Sequence, residues 1–119
     1  MDEPEVFAFL DRKPVFHGHT LVVPRRHHET LVDLPGDQLE PLFGMVQRLA
    51  AAVVSGLEAD GTFVAMNNHV SQSVPHLHVH VVPRRFRDGL RGFFWPRQNY
   101  ADEAEAADFA RRIAAALDA

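Results

Sequence analysis

Cysteine is absent from the 119 residues, which excludes disulfides and thiolate-bound metal together. Long apolar runs are missing too. The longest, Leu49 to Val54, falls far short of the ~20 residues a spanning helix needs, so no membrane partner is expected. Basic residues are in deficit: 12 Lys and Arg against 16 Asp and Glu leave a net charge of −4, the wrong sign for a general nucleic-acid binder. Met1-Asp2-Glu3-Pro4-Glu5 carries neither the basic nor the apolar stretch of a secretory signal, so a cytoplasmic location is expected. Between Gly61 and Arg87 there is no carboxylate at all. Histidine, by contrast, is abundant at 8 residues, and the run His76-Leu77-His78-Val79-His80 holds three of them.

The length suits a single domain over 1–119 with one modest core. Val6-Phe7-Ala8-Phe9-Leu10 reads as a buried strand closed by the polar Asp11-Arg12-Lys13-Pro14, and Thr20 to Val23 as a second strand stopped by Pro24. From Asp37 the period changes. Leu39, Leu42, Phe43, Val46, Leu49, Val53, Val54 and Leu57 fall at helical spacing, with Asp37 and Glu40 resembling a capping box and Asp60-Gly61 as the end. Phe43, Phe63 and the helix leucines are expected in the core. Thr62 to Met66 reads as a third strand entering a bend at Asn67-Asn68, and Leu77 to Val82 as a fourth. Arg84 to Tyr100 lacks periodicity and reads as an irregular arm before a last helix around Ala104 to Leu117.

On a strand His76, His78 and His80 point one way, and Leu77, Val79 and Val81 the other. An imidazole face can donate hydrogen bonds, take protons or attack electrophiles near neutral pH. A histidine metal site usually adds carboxylate or thiolate ligands. Here the neighbouring polar groups are Asn67, Asn68, Gln72, Ser73, Arg84 and Arg85, which suit an anion. A nucleophilic imidazole needs its other nitrogen held, and with no acid nearby a backbone carbonyl near His76 or in the preceding loop is expected to orient His78. His17, His27, His28 and His69 are assigned to the surface.

The segment Gln72-Ser73-Val74-Pro75-His76-Leu77-His78-Val79-His80-Val81-Val82 resembles the signature of the histidine triad (HIT) family of nucleotide hydrolases and transferases. Asp11, Gly18-His19, Leu21-Val22-Val23-Pro24 and His27 extend the resemblance upstream. It implies an α+β fold, with a mainly antiparallel sheet, one long helix and a C-terminal helix, and a homodimer. His78 would be the nucleophile at the α-phosphate of a nucleotide, with His76 and His80 as flanking partners. Asn67, Gln72 and Ser73 would contact phosphate oxygens, Asp11 would hold the ribose, and Phe7, Phe9 and Leu21 would wall the base. His19 would buttress a flanking histidine or simply pack. His at position 80 resembles the hydrolase branches. The chain departs from the family in placing Ser71 where Gly is usual.

The implied substrate is a purine nucleotide, either a dinucleoside polyphosphate or a nucleoside phosphoramidate. No cofactor is required on this reading, although Mg²⁺ would help polyphosphates, and no structural zinc is expected. Arg84 and Arg85 are placed to reach further phosphates, and Phe93, Phe94 and Trp95 to pack over the site or on a second copy. Arginines and aromatics interleave in that arm like a nucleic-acid stacking surface, but the acidic balance speaks against that partner. Two alternatives remain: a metal-dependent hydrolase using the three histidines, and a nucleotide-binding adaptor without turnover.

Overall fold

The computed structural model describes residues 1–91 and 96–117. Phe93, Phe94 and Trp95 therefore lie outside the described residues. The chain divides into two compact units, Met1–Asp88 and Gly89–Ala119.

The first unit is an antiparallel sheet with one helix across it. Strands β1 (Val6–Leu10), β2 (Thr20–Pro24), β3 (Gly61–Ala65) and β4 (Val79–Arg84) stand in the order β1-β2-β4-β3. The helix α1 (Leu39–Leu57) lies against this sheet. Strand alternation sends Val6, Ala8, Val22, Val79 and Val81 into a core with Leu42, Met45, Val46, Leu49 and Val53 of α1. Leu77 joins them fully buried, so truncating it to Ala removes about 2–5 kcal/mol.

Several boundaries differ from the sequence reading. A 3₁₀ turn, Gly36–Gln38, precedes α1, and the cap residue Gln38 makes no side-chain cap bond. Pro41 is accommodated because the first helical turn has no intrahelical use for its missing N–H. The reciprocal capping box is instead Thr30 with Asp33, on the 3₁₀ turn Leu31–Asp33. Helix α1 stops at Leu57, where Glu58 turns left-handed at φ 53°, before Asp60-Gly61 is reached. Its apolar stripe is wider than the sheet can cover: Leu39, Phe43, Val54 and Leu57 remain exposed, so Phe43 is not core.

Strand β4 begins two residues later than expected. The segment before it bonds elsewhere: the His76 N–H donates to Val74 O, and the Leu77 N–H to His28 O. At the β1 edge, Met1 and Ala8 exchange backbone hydrogen bonds. Strand β3 forms the opposite edge.

In the second unit, α2 (Glu103–Leu117) has no buried residue, and the Phe109 ring lies 5.8 Å from Tyr100. No described helix is long and apolar enough to cross a membrane.

Candidate active site

On the sheet face opposite α1, Phe9 pairs with Leu21, Leu21 with His80, and His80 with Ala65, one row across four strands. Paired residues share a face. His80 therefore opens onto the same surface as Phe9 and Leu21, and His76 and His78, just ahead of β4, line that surface beside them.

Hydrogen-bond direction fixes which nitrogen of each neutral ring carries the proton. His78 Nδ1 lies 2.7 Å from the carbonyl oxygen of His76. A carbonyl can only accept, so the proton sits on Nδ1 and Nε2 is left with its lone pair. His19 works the other way. The Val15 N–H donates to its Nδ1 at 3.1 Å, which forces the neutral ring to carry its proton on Nε2. That Nε2–H faces His80 Nδ1 at 2.9 Å, so His80 accepts there and presents an Nε2–H. One lone pair and one N–H result, on rings with centroids 5.1 Å apart.

Burial supports the neutral forms. The pKa of His80 is lowered first by burial, then by His19 and His78, against a smaller opposing effect of Asp11. His19 is also lowered by burial and partly restored by Asp11, whose carboxylate is 3.7 Å away.

His76 has a different part. Its Nε2–H donates to Pro24 O at 2.9 Å, leaving Nδ1 to accept from His27 Nδ1–H at 3.3 Å. With both nitrogens occupied, it contributes mainly its carbonyl to His78 and is not a ring placed on phosphate. His27 is thereby engaged and not a bystander. His28 is half-buried, and its Nε2 is enclosed with no hydrogen-bond partner among the described residues.

Two hollows flank this row. One of about 450 Å³ is lined by Phe9, Leu21, Val23, Val74, His76 and His78. The other, about 640 Å³, shares Phe9 and Leu21 but is completed by Leu10, Asp11, Arg12 and Lys13. Phe7 lines neither. It backs Phe9 at 5.3 Å beneath the Arg25 guanidinium, so its role as a base wall is indirect.

Ahead of the triad the chain makes a tight loop in which His69 and Ser71 adopt φ 68° and 60°. Gln72 ties it down: its carbonyl accepts from the His69 N–H and its amide donates to Glu29 O at 2.6 Å. That commits its carbonyl and one of its two amide N–H groups to holding the loop. Asn68 commits only its carbonyl, which accepts from the Leu31 N–H, and keeps its amide N–H groups. Asn67 makes only a 3.4 Å bond through one N–H of its amide to Ser71 O, which leaves the second N–H and the exposed Ser73 hydroxyl as donors that the loop can offer.

The HIT domain model matches residues 1–87. The chain belongs to the HIT family. It is 38% identical over 101 residues to an uncharacterised HIT-like protein of Saccharolobus solfataricus, covering 82% of this chain and 73% of that protein. It is 35% identical to the asymmetrical bis(5'-nucleosyl)-tetraphosphatase of Schizosaccharomyces pombe, covering 68% of this chain but only 46% of that enzyme. An adenosine 5'-monophosphoramidase of Candida albicans is 29% identical over 92% of this chain and 71% of its own length. Among solved structures, a HIT family member from Bacillus subtilis superposes with TM-score 0.85 at 29% identity, covering 96% of this chain and 83% of that one. A zinc-bound histidine triad protein of Mycobacterium smegmatis gives TM-score 0.72 at 35% identity, covering 99% and 84%.

Zinc in that relative prompts a test of this HIT chain's own donors. Asp11, His19 and His80 each place one ligand atom within 4.8 Å of the others. The set does not fit a metal. Nε2 of His19 carries the proton, because the Val15 N–H holds Nδ1, and metal binding would require that proton to move onto a nitrogen already facing a donor. The cluster instead reads as a hydrogen-bond relay.

Arg84 also departs from expectation. It forms a two-pronged pair with Asp88 and lies four strand positions beyond His80, roughly 13 Å at ~3.3 Å per residue. Arg85 caps the end of α1 through Leu57 O. Neither is placed on a phosphate chain at the triad.

Proposed function

We propose that the chain is a metal-independent nucleotidyl hydrolase working through a nucleotidyl-histidine intermediate on His78. The observation that carries this reading is the bond from His78 Nδ1–H to the His76 carbonyl, which leaves Nε2 as a lone pair held in one orientation. In the first step Nε2 attacks the α-phosphorus, a P–N bond forms, and the bond to the leaving group breaks with its electron pair. His80 Nε2–H, with Asn67 and Ser73, meets the charge on the phosphoryl oxygens. Water then attacks phosphorus, the P–N pair returns to His78, and the released proton passes to solvent.

Because His80 is held neutral, it acts as a hydrogen-bond donor and not as a full proton source. This favours leaving groups that depart as stable anions, such as the phosphate end of a dinucleoside polyphosphate, or amines that arrive already protonated on nitrogen, as in a nucleoside phosphoramidate. Asp11 keeps Oδ1 on the Lys13 N–H at 2.9 Å and turns Oδ2 toward the relay, where it can also accept ribose hydroxyls. The enzyme acts in the cytoplasm as a homodimer, with the open β3 edge and the exposed Phe43 side of α1 as the joining surface.

The decisive measurement is His78→Ala. Turnover of diadenosine polyphosphate and of an adenosine phosphoramidate should both disappear while calorimetric AMP affinity stays within a fewfold. Mass spectrometry of wild type quenched in turnover should find the nucleotidyl group on His78. Near-normal turnover in the variant would refute the mechanism.

A further inference from the structure

The larger hollow has a composition that a purely apolar base pocket would not need. Phe9 and Leu21 give it two apolar walls, Asp11 borders it, and Arg12 and Lys13 complete its lining. Both cationic side chains are exposed, and among the described residues neither makes a hydrogen bond or ion pair through its side chain. Arg12 does not pair with Asp11, its immediate neighbour, whose oxygens face the Lys13 N–H and the His19 ring. A guanidinium left available beside an apolar cleft is a paired donor in search of paired acceptors.

We propose that Arg12, aided by Lys13, reads the nucleobase and makes this enzyme prefer 6-oxopurine nucleotides, guanosine and inosine, over adenosine. The inference rests on the nucleotide reading of the site and adds the identity of the base. With the α-phosphate at His78 and His80 and the ribose at Asp11, the base falls into the hollow that Asp11 borders. A 6-oxopurine offers O6 and N7 as two adjacent acceptors, which match the two parallel N–H groups of an arginine. Adenine presents a donor, the 6-amino group, where O6 would be, and so loses one of the pair. Stacking of the guanidinium over the ring would serve every base alike and give no preference.

The test is calorimetric binding of GMP, IMP and AMP to wild type, Arg12→Ala and Lys13→Ala. These monophosphates have no leaving group, so turnover does not interfere. Wild type should bind GMP and IMP about tenfold more tightly than AMP, within the discrimination usual for a bidentate arginine contact. Arg12→Ala should erase that gap by weakening GMP and IMP while leaving AMP within about twofold. IMP isolates the O6 and N7 contact, because it lacks the 2-amino group of guanine. An equal loss for all three in Arg12→Ala would place Arg12 on phosphate or in indiscriminate stacking and overturn the proposal. So would equal or tighter binding of AMP by wild type, and so would an unchanged gap in Arg12→Ala. Each of those three outcomes leaves the nucleotide reading intact, whereas failure of wild type to bind any of the three would overturn both.

Discussion

His19 and His80 share one proton across 2.9 Å, and the amide of Val15 decides that it belongs to His19. The consequence is that His80 turns its own N–H toward the side from which His78 offers a lone pair. Replacing His19 with Ala removes the donor and lets His80 take either tautomer. We expect kcat to fall about 10- to 100-fold, no more than the ~10²-fold at the low end for outright loss of an oxyanion donor, with KM changed less than threefold. Steady-state kinetics decides. A rise in KM at constant kcat would mean that His19 only helps to bind substrate.

The same pair makes the fold sensitive to acid. Both imidazoles titrate below the ordinary histidine value of 6.5 because burial disfavours their charged forms. As pH drops through 6.5 the unfolded chain takes up protons that the folded chain still refuses, so stability is complete above that value and declines below it. Urea midpoints taken from pH 7.5 down to 5.5 should fall, and fall less steeply in His80→Gln. A flat profile in wild type would count against the buried neutral pair.

Reading the sequence located the strands, the long helix and the face carrying the three histidines, because each rests on local periodicity. It also asked for a backbone carbonyl behind His78, since the neighbouring chain offers no acid. It could not find Val15, whose amide acts irrespective of its side chain, or His27, which meets His76 across 49 residues of chain. The internal partners of Gln72 and Arg84 are illegible for a related reason: a polar residue type near a site points to ligand, and only the fold ties Gln72 to Glu29 and Arg84 to Asp88. Helix ends were displaced because caps depend on the connecting turns, as at Gln38 and Glu58.

Removing metal should change nothing in catalysis. The one cluster of suitable donors among the described residues, Asp11, His19 and His80, is committed to hydrogen bonds that put a proton where a metal would bind. Hydrolysis of an adenosine phosphoramidate should proceed at the same rate after exhaustive EDTA dialysis. Lost activity that returns with zinc would sink this assignment.

Ser71 sits at φ 60°, in the left-handed region where a Cβ costs roughly 1–2 kcal/mol and glycine none. Part of the gain is offset by the greater freedom of glycine in the unfolded chain. Ser71→Gly should therefore stabilise the protein by about 0.5–1 kcal/mol in urea titration, without altering kcat. Destabilisation would indicate that the serine side chain makes a contact worth more than the strain.

Arg84 provides the sharpest test of what the structure changes. Its position just after Val82-Pro83 invites a role in gripping the distal phosphates of a dinucleoside polyphosphate. The fold gives it other work: Nε and a terminal nitrogen hold the two oxygens of Asp88 at 2.6 and 3.1 Å, and the Arg85 N–H joins the same carboxylate. The pairing raises the guanidinium pKa, chiefly through the side-chain hydrogen bond to Asp88. The pair thus closes the turn that follows β4, at the far end of that strand from the triad. Arg84→Ala should lower Tm, since Asp88 is nearly buried and loses its main counter-charge. It should leave the ratio of kcat/KM for diadenosine polyphosphate to that for adenosine phosphoramidate unchanged within about twofold, because an interaction with distal phosphates would act on one substrate alone. A selective loss on the polyphosphate would return Arg84 to the substrate, and would require the turn to open toward the triad when substrate binds.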